Sequence, residues 1–174
     1  MSVVTSGFGN RCADSSTKEI ATMSEIDQTH EEFSSGRKSR CPSYFLRAAS
    51  WGDGEVVEEL IKAGSDVREI DEKGETALHK STRFSQLKVA TLLLEKGCDV
   101  NARDNLGMTP LHWAAMCADT ALTRLLLMHD ADVFARDYYA GGITPLGIAQ
   151  LMGAIGVQEM LERHVESGGF KKAL

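Results

Sequence analysis

The chain has no long hydrophobic run, no basic excess and no close cysteine pair, and each absence removes a class of protein. Stretches such as Leu92-Leu93-Leu94 and Leu125-Leu126-Leu127-Met128 fall far short of the about 20 residues a helix needs to span a bilayer, so the expectation is a soluble protein with no membrane partner. A net charge of −6 argues against a nucleic-acid partner, because neutralising phosphates takes a concentrated basic surface. The start, Met1-Ser2-Val3-Val4-Thr5-Ser6-Gly7, lacks the basic residues and apolar stretch of a secretory signal, so a cytoplasmic or nuclear protein is expected. There Cys12, Cys41, Cys98 and Cys117, with no metal or redox spacing, read as free thiols. Gly52-Asp53-Gly54 and Gly141-Gly142 lack the Lys-Ser/Thr or helix-opening context of a phosphate loop, and His30, His129 and His164 lack ligand spacing. No cofactor and no metal are expected.

What the chain does have is a period. Gly74-Glu75-Thr76-Ala77-Leu78-His79, Gly107-Met108-Thr109-Pro110-Leu111-His112 and Gly142-Ile143-Thr144-Pro145-Leu146-Gly147 say nearly the same thing, at steps of 33 and 35 residues. Asp66-Val67, Asp99-Val100 and Asp132-Val133 keep a step of 33 independently. A fixed period in this range means a stacked array. At 174 residues and 43% hydrophobic, the chain can bury one sizeable core and still leave a tail.

With Thr-Pro-Leu-His opening a unit and Gly97-Cys98-Asp99-Val100-Asn101-Ala102-Arg103-Asp104 closing one, the chain resembles the ankyrin repeat family over roughly residues 38 to 167. The resemblance implies an all-α solenoid of stacked helix-turn-helix units with β-turn or loop tips. The expected division is an acidic, Ser/Thr-rich, disordered leader at 1–36, repeats at 38–70, 71–103, 104–136 and 137–167, and a tail at 168–174. The first repeat lacks the Thr-Pro-Leu-His signature, and the last, with Glu162 in the place of Leu127, has a two-residue insertion in its tip; polar terminal repeats keep an array soluble.

Local chemistry agrees with the units. Thr76, Thr109 and Thr144 stand where a side-chain oxygen caps a helix start, and Pro110 and Pro145 fall at the first helical position, where no amide is needed. Leu60-Ile61, Leu93-Leu94 and Leu126-Leu127 keep the step and should form one apolar spine, and Gly64 and Gly97 should end two outer helices, with Asp130 in that place in the third unit. In the leader, Ser16-Thr17-Lys18-Glu19 has capping-box spacing ahead of Ile20, Met23, Ile26 and Phe33, which offers a short helix as the alternative to a solvated tail. Such a helix is also a candidate cover for the groove described next. Gly36-Arg37-Lys38-Ser39-Arg40 reads as a charged linker, with a nuclear signal as the other reading.

Catalysis finds no constellation, so the chain is not expected to be an enzyme. His79 and His112 hold the same motif position, and the resemblance implies that they tie neighbouring turns together by hydrogen bonds. Function then belongs to the surface. The register places Trp51, Phe84, Cys117 and Met152 at one position near the end of the inner helix, usually polar in the family, joined by Met116 and Leu151 and extended by Trp113 and Ile148. The tips add Leu106, Met108, Tyr138 and Tyr139, the tyrosines lying in the insertion. The expected function is a non-catalytic adaptor, a monomer holding a protein partner on the concave face. Packing between repeats is the other reading of Trp51 and Phe84. The rival functions are a small ankyrin-repeat inhibitor of a kinase or transcription regulator and an enzyme using Cys117 and the histidines. Leu93, Asp99, Val100 and Asn101 also match the arrangement accepted by the asparaginyl hydroxylase that acts on ankyrin repeats, which makes Asn101 a candidate for modification.

Overall fold

The computed structural model describes residues 43–138 and 141–167. The expected leader helix, the 36–40 linker, Cys12, Cys41, Tyr139 and the tail lie outside the described residues. Eight helices lie among the described ones, in pairs: α1 (Tyr44–Trp51) with α2 (Gly54–Lys62), α3 (Ala77–Arg83) with α4 (Leu87–Glu95), α5 (Pro110–Met116) with α6 (Thr120–Met128), and α7 (Pro145–Met152) with α8 (Ile155–Glu166).

Each first helix starts at a hydroxyl residue for the same reason. Ser43 accepts the amide of Leu46 at 3.3 Å, Thr76 that of His79 at 3.4 Å and Thr144 that of Gly147 at 3.2 Å. Thr109 differs in detail: its hydroxyl lies 2.9 Å from His112 Nδ1, and its carbonyl takes the His112 amide at 3.0 Å. Within a pair the chain must reverse at once, and it does so through one left-handed residue: Gly52, Ser85, Ala118 or Gly153. The second helices end similarly, with Gly64, Gly97 and Asp130 at positive φ just past their last turns. Asp130 at φ 62° thus takes the place that the period assigns to glycine.

The first helices pack side by side as an inner layer, α1 on α3, α3 on α5 and α5 on α7, and the second helices form an outer layer in the same order. Small residues permit the inner contacts: Ala48, Ala49, Ala114, Ala115 and Ala149 are all buried. The second repeat has Ser81 and Thr82 instead, and both hydroxyls are satisfied by donating to the carbonyl of Leu78, at 3.0 and 2.8 Å. The spine forms where Leu93, Leu126 and Leu161 are fully buried at successive repeat steps, while Leu60 and Ile61 of the first repeat are half-buried and Val57 is the buried anchor of α2.

The tips repeat one hydrogen-bond pattern. Asp71 Oδ1 accepts the amides of Lys73 and Glu75, and Asp104 Oδ1 those of Leu106 and Met108, all at 2.8–2.9 Å. Asp137 Oδ1 accepts the amide of Ile143 at 2.8 Å, six positions on instead of four, because two residues are inserted between them. Neighbouring tips are then joined: the Asn105 amide donates to the Lys73 carbonyl at 2.9 Å, and the Tyr138 amide to that of Leu106 at 2.7 Å.

Candidate functional site

His79 and His112 are buried, and their tautomer follows from their neighbours. His79 Nδ1 accepts the Thr76 amide at 3.1 Å, so the proton sits on Nε2, which donates to the Met108 carbonyl at 3.1 Å. His112 repeats this with Thr109 at 3.0 Å and the Ile143 carbonyl at 3.2 Å. Burial pulls both imidazoles below their ordinary range, outweighing the carbonyl and carboxylate neighbours that favour the cation. Each histidine thus ties one repeat to the tip of the next. With both nitrogens committed, His112 has none left to take a proton from Cys117, whose Sγ donates to the Arg83 carbonyl at 3.4 Å. Cys98 donates to the Val67 carbonyl at 3.7 Å, and burial, then the nearby Asp99, pushes its thiol up to about 11, which leaves it protonated at neutral pH.

The row expected on the inner helices is exposed in part. Trp51 is 59% accessible, Phe84 42%, Leu151 75% and Met152 53%. Trp113, Met116 and Cys117 are half-buried and fill the seams between helices, and Ile148 is buried in the core, so it adds nothing to the surface. Arginines, which the register does not flag, cover the rings. The Arg47 guanidinium lies 4.9 Å from the centre of the Trp51 ring, and that of Arg83 lies 4.7 Å from Trp113 and 5.8 Å from Phe84. The surface therefore alternates apolar faces with cations. Beneath Arg83 the buried indole N–H of Trp113 has no acceptor among the described residues.

Arg83 is held by a carboxylate that the sequence reading also passes over. Glu75 is almost fully buried; it pairs with Lys80, and with Arg83 at 2.9 Å, while Asp71 meets Lys80 at 2.6 Å. Burial alone would push the Lys80 ammonium down, but Asp71 and Glu75 outweigh it and hold it above its usual range. Burial likewise opposes the charge on Asp71, yet Lys80 and the amides of Glu75 and Lys73 bring its carboxyl below the usual range. The four side chains form a neutral cluster that fixes Arg83 over its rings.

At the tips, Leu106 and Tyr138 are exposed, and Arg103 stands 5.9 Å from the Tyr138 ring. Met108 is a correction: at 6% accessibility its side chain belongs to the core, because the hairpin that presents Leu106 outward turns its next-but-one neighbour inward. Asn101 spans two repeats, its Nδ2 donating to the Asp130 carbonyl at 3.2 Å and its Oδ1 accepting the Asp132 amide at 2.7 Å.

Among the described residues no three His, Cys, Asp or Glu side chains are grouped to hold a metal ion, and no helix is long and apolar enough to cross a membrane. No curated protein matches the chain. A family model described as ankyrin repeats, in three copies, matches residues 45–137, more than half of the sequence. On that match, and on the paired helices and histidine ties that it accompanies, the chain belongs to the ankyrin-repeat family, whose members are generally protein–protein interaction modules and typically non-catalytic.

Proposed function

We propose that this protein is a non-catalytic adaptor that holds a protein partner against its inner helices and tips, in the cytoplasm or nucleus. The observation that carries the reading is the exposure of Trp51 and Phe84 at the ends of the first two inner helices and of Leu151 and Met152 on the fourth. Large side chains left in water at one register position in three of the four repeats add little to stacking, and aromatic and arginine side chains are the commonest anchors of protein interfaces. Arginines already laid over Trp51 and Phe84 limit the ordering that binding would demand. Leu106 and Tyr138 extend the surface onto the tips.

The test is affinity capture from the native cell with wild type, Trp51→Ala and Phe84→Ala, each first checked for an unchanged unfolding midpoint. Selective loss of the same captured protein is expected from both variants; unchanged recovery rejects this surface. Asn101 is proposed in addition as a hydroxylation site, supported by its exposure and by Leu93, Asp99 and Val100 at the matching positions. A mass increase of one oxygen on its peptide is the expected result.

A further inference from the structure

The outer helices carry a second surface. A shallow depression between α4 and α6 is lined by Leu87, Thr91, Ala121 and Leu125, and another between α6 and α8 by Leu127, Met160, Arg163 and His164. Arg124 and Met128 line both, so the two form one strip with α6 as its ridge. Met128 is 76% accessible, more than any residue of the inner row, and Leu87 is also exposed.

The charge of this strip runs against that of the chain. Net charge is −6, yet no carboxylate among the described residues lines either depression; their ionic groups are Arg124 and Arg163, with His164 beside them. Arg124 has no ion pair or hydrogen bond among the described residues. Arg163 is paired with Glu159 at 3.1 Å in an exposed contact, an arrangement worth little and readily exchanged. The neighbouring carboxylate Glu162 accepts instead from Gln158, at 2.9 Å.

We propose that this outer-helix strip docks an acidic amphipathic helix of a protein partner, its apolar side on Leu87, Leu125, Met128 and Met160 and its carboxylates toward Arg124 and Arg163. Charge complementarity selects an acidic occupant. The absence of any sheet edge among the described residues selects a helix, since an extended peptide would find no ladder to join, whereas a helix satisfies its own backbone. An anionic membrane is the weaker fit. Each basic residue near such a surface contributes about 1 kcal/mol, and two arginines oppose the repulsion of a chain at −6.

The experiment uses the full chain and a fluorescein-labelled helical peptide with leucine at positions i, i+3, i+4 and i+7 and glutamate elsewhere on its surface, read by anisotropy. The glutamate peptide is expected to bind, with affinity falling as salt rises, and its lysine analogue to bind at least about tenfold more weakly. Arg124→Glu and Met128→Asp are each expected to weaken the glutamate peptide about tenfold, while Arg68→Glu, the same charge change on an exposed loop, leaves it unchanged. Both strip positions are exposed, and circular dichroism verifies that the variants stay folded. Four results overturn the proposal: no binding of the glutamate peptide, equal binding of both peptides, indifference to the two strip variants, or binding confined to phosphatidylserine vesicles.

Discussion

The Nε2–H of His79 donates to the carbonyl of Met108 in the following repeat, 3.1 Å away, while Nδ1 accepts the amide of Thr76. A second proton would have to enter at Nδ1, against that amide, so folding favours the neutral ring. The same holds for His112 between Thr109 and Ile143. Both rings are pulled below 6.5, by burial first. Between the lowered folded value and 6.5 the unfolded chain binds more protons, so stability is fully present above about pH 6.5 and is lost as pH falls below it. Asp71, also lowered in the fold, adds its own loss only below about 3.8, so the histidine loss sets in first as pH falls. Urea midpoints should be flat from pH 7 to 8 and fall toward pH 5. Leu46 occupies this register position in the first repeat, so His79→Leu is a chain-tested shape; it should cost about 1–3 kcal/mol at pH 7 and lessen the fall below 6.5. An undiminished fall would assign the acid sensitivity elsewhere.

Glu75 gives a contrasting prediction, because its carboxylate is buried between two cations. Glu75→Met places there the residue that the third repeat carries as Met108. Alone it should cost about 3 kcal/mol, since it strips Lys80 and Arg83 of a buried counter-charge. Glu75→Met with Lys80→Leu should recover part of the loss, because the Glu75–Lys80 pair is then exchanged whole for apolar side chains, often neutral or better, while Asp71 and Arg83 each still lack a partner. A double variant as unstable as the single would show that the cluster itself stabilises the fold.

The register made the array legible because stacking obliges equivalent residues to do equivalent work. While the family resemblance implied the ties at His79 and His112, the register gave the helix starts at Thr76, Thr109 and Thr144 and the left-handed place of Asp130. It could not give contacts that run across the register. Arg47 reaches Trp51 within one helix, Arg83 reaches Trp113 from one repeat to the next, and Glu75 meets Lys80 and Arg83 from a neighbouring turn. Each pairs unlike positions, so aligning like with like hides it. Met108 failed for the same reason: sharing a tip with Leu106 says nothing about which side of the hairpin a side chain takes.

Ala118 and Ser85 carry the φ of the left-handed region, 55° in each, where Gly52 and Gly153 stand in the outer repeats. A side chain there crowds the following carbonyl by about 1–2 kcal/mol, part of which glycine returns to the unfolded chain as entropy. Ala118→Gly should therefore stabilise the fold by about 0.5–1 kcal/mol. The urea midpoint should rise with the slope unchanged. A lower midpoint would mean that the methyl group of Ala118 contributes packing that outweighs the strain.

Gly107 lies directly beneath Tyr138. Its φ is 76°, and a Cβ added there would meet ring carbons of Tyr138 at 2.8–2.9 Å. The ring cannot retreat freely, since the Tyr138 amide is bound to the Leu106 carbonyl at 2.7 Å. Gly107→Ala should thus carry two costs: about 1–2 kcal/mol of backbone strain, and the displacement of the ring from its place near Arg103. Tyr138→Ser removes the second cost and leaves the first, so the penalty of Gly107→Ala should be smaller in that background. Equal penalties in the two backgrounds would leave the ring contact without energetic weight. If the ring is displaced in Gly107→Ala, partner capture through the tip should weaken even where the fold survives, because Tyr138 is presented outward only while the glycine lets its ring lie flat.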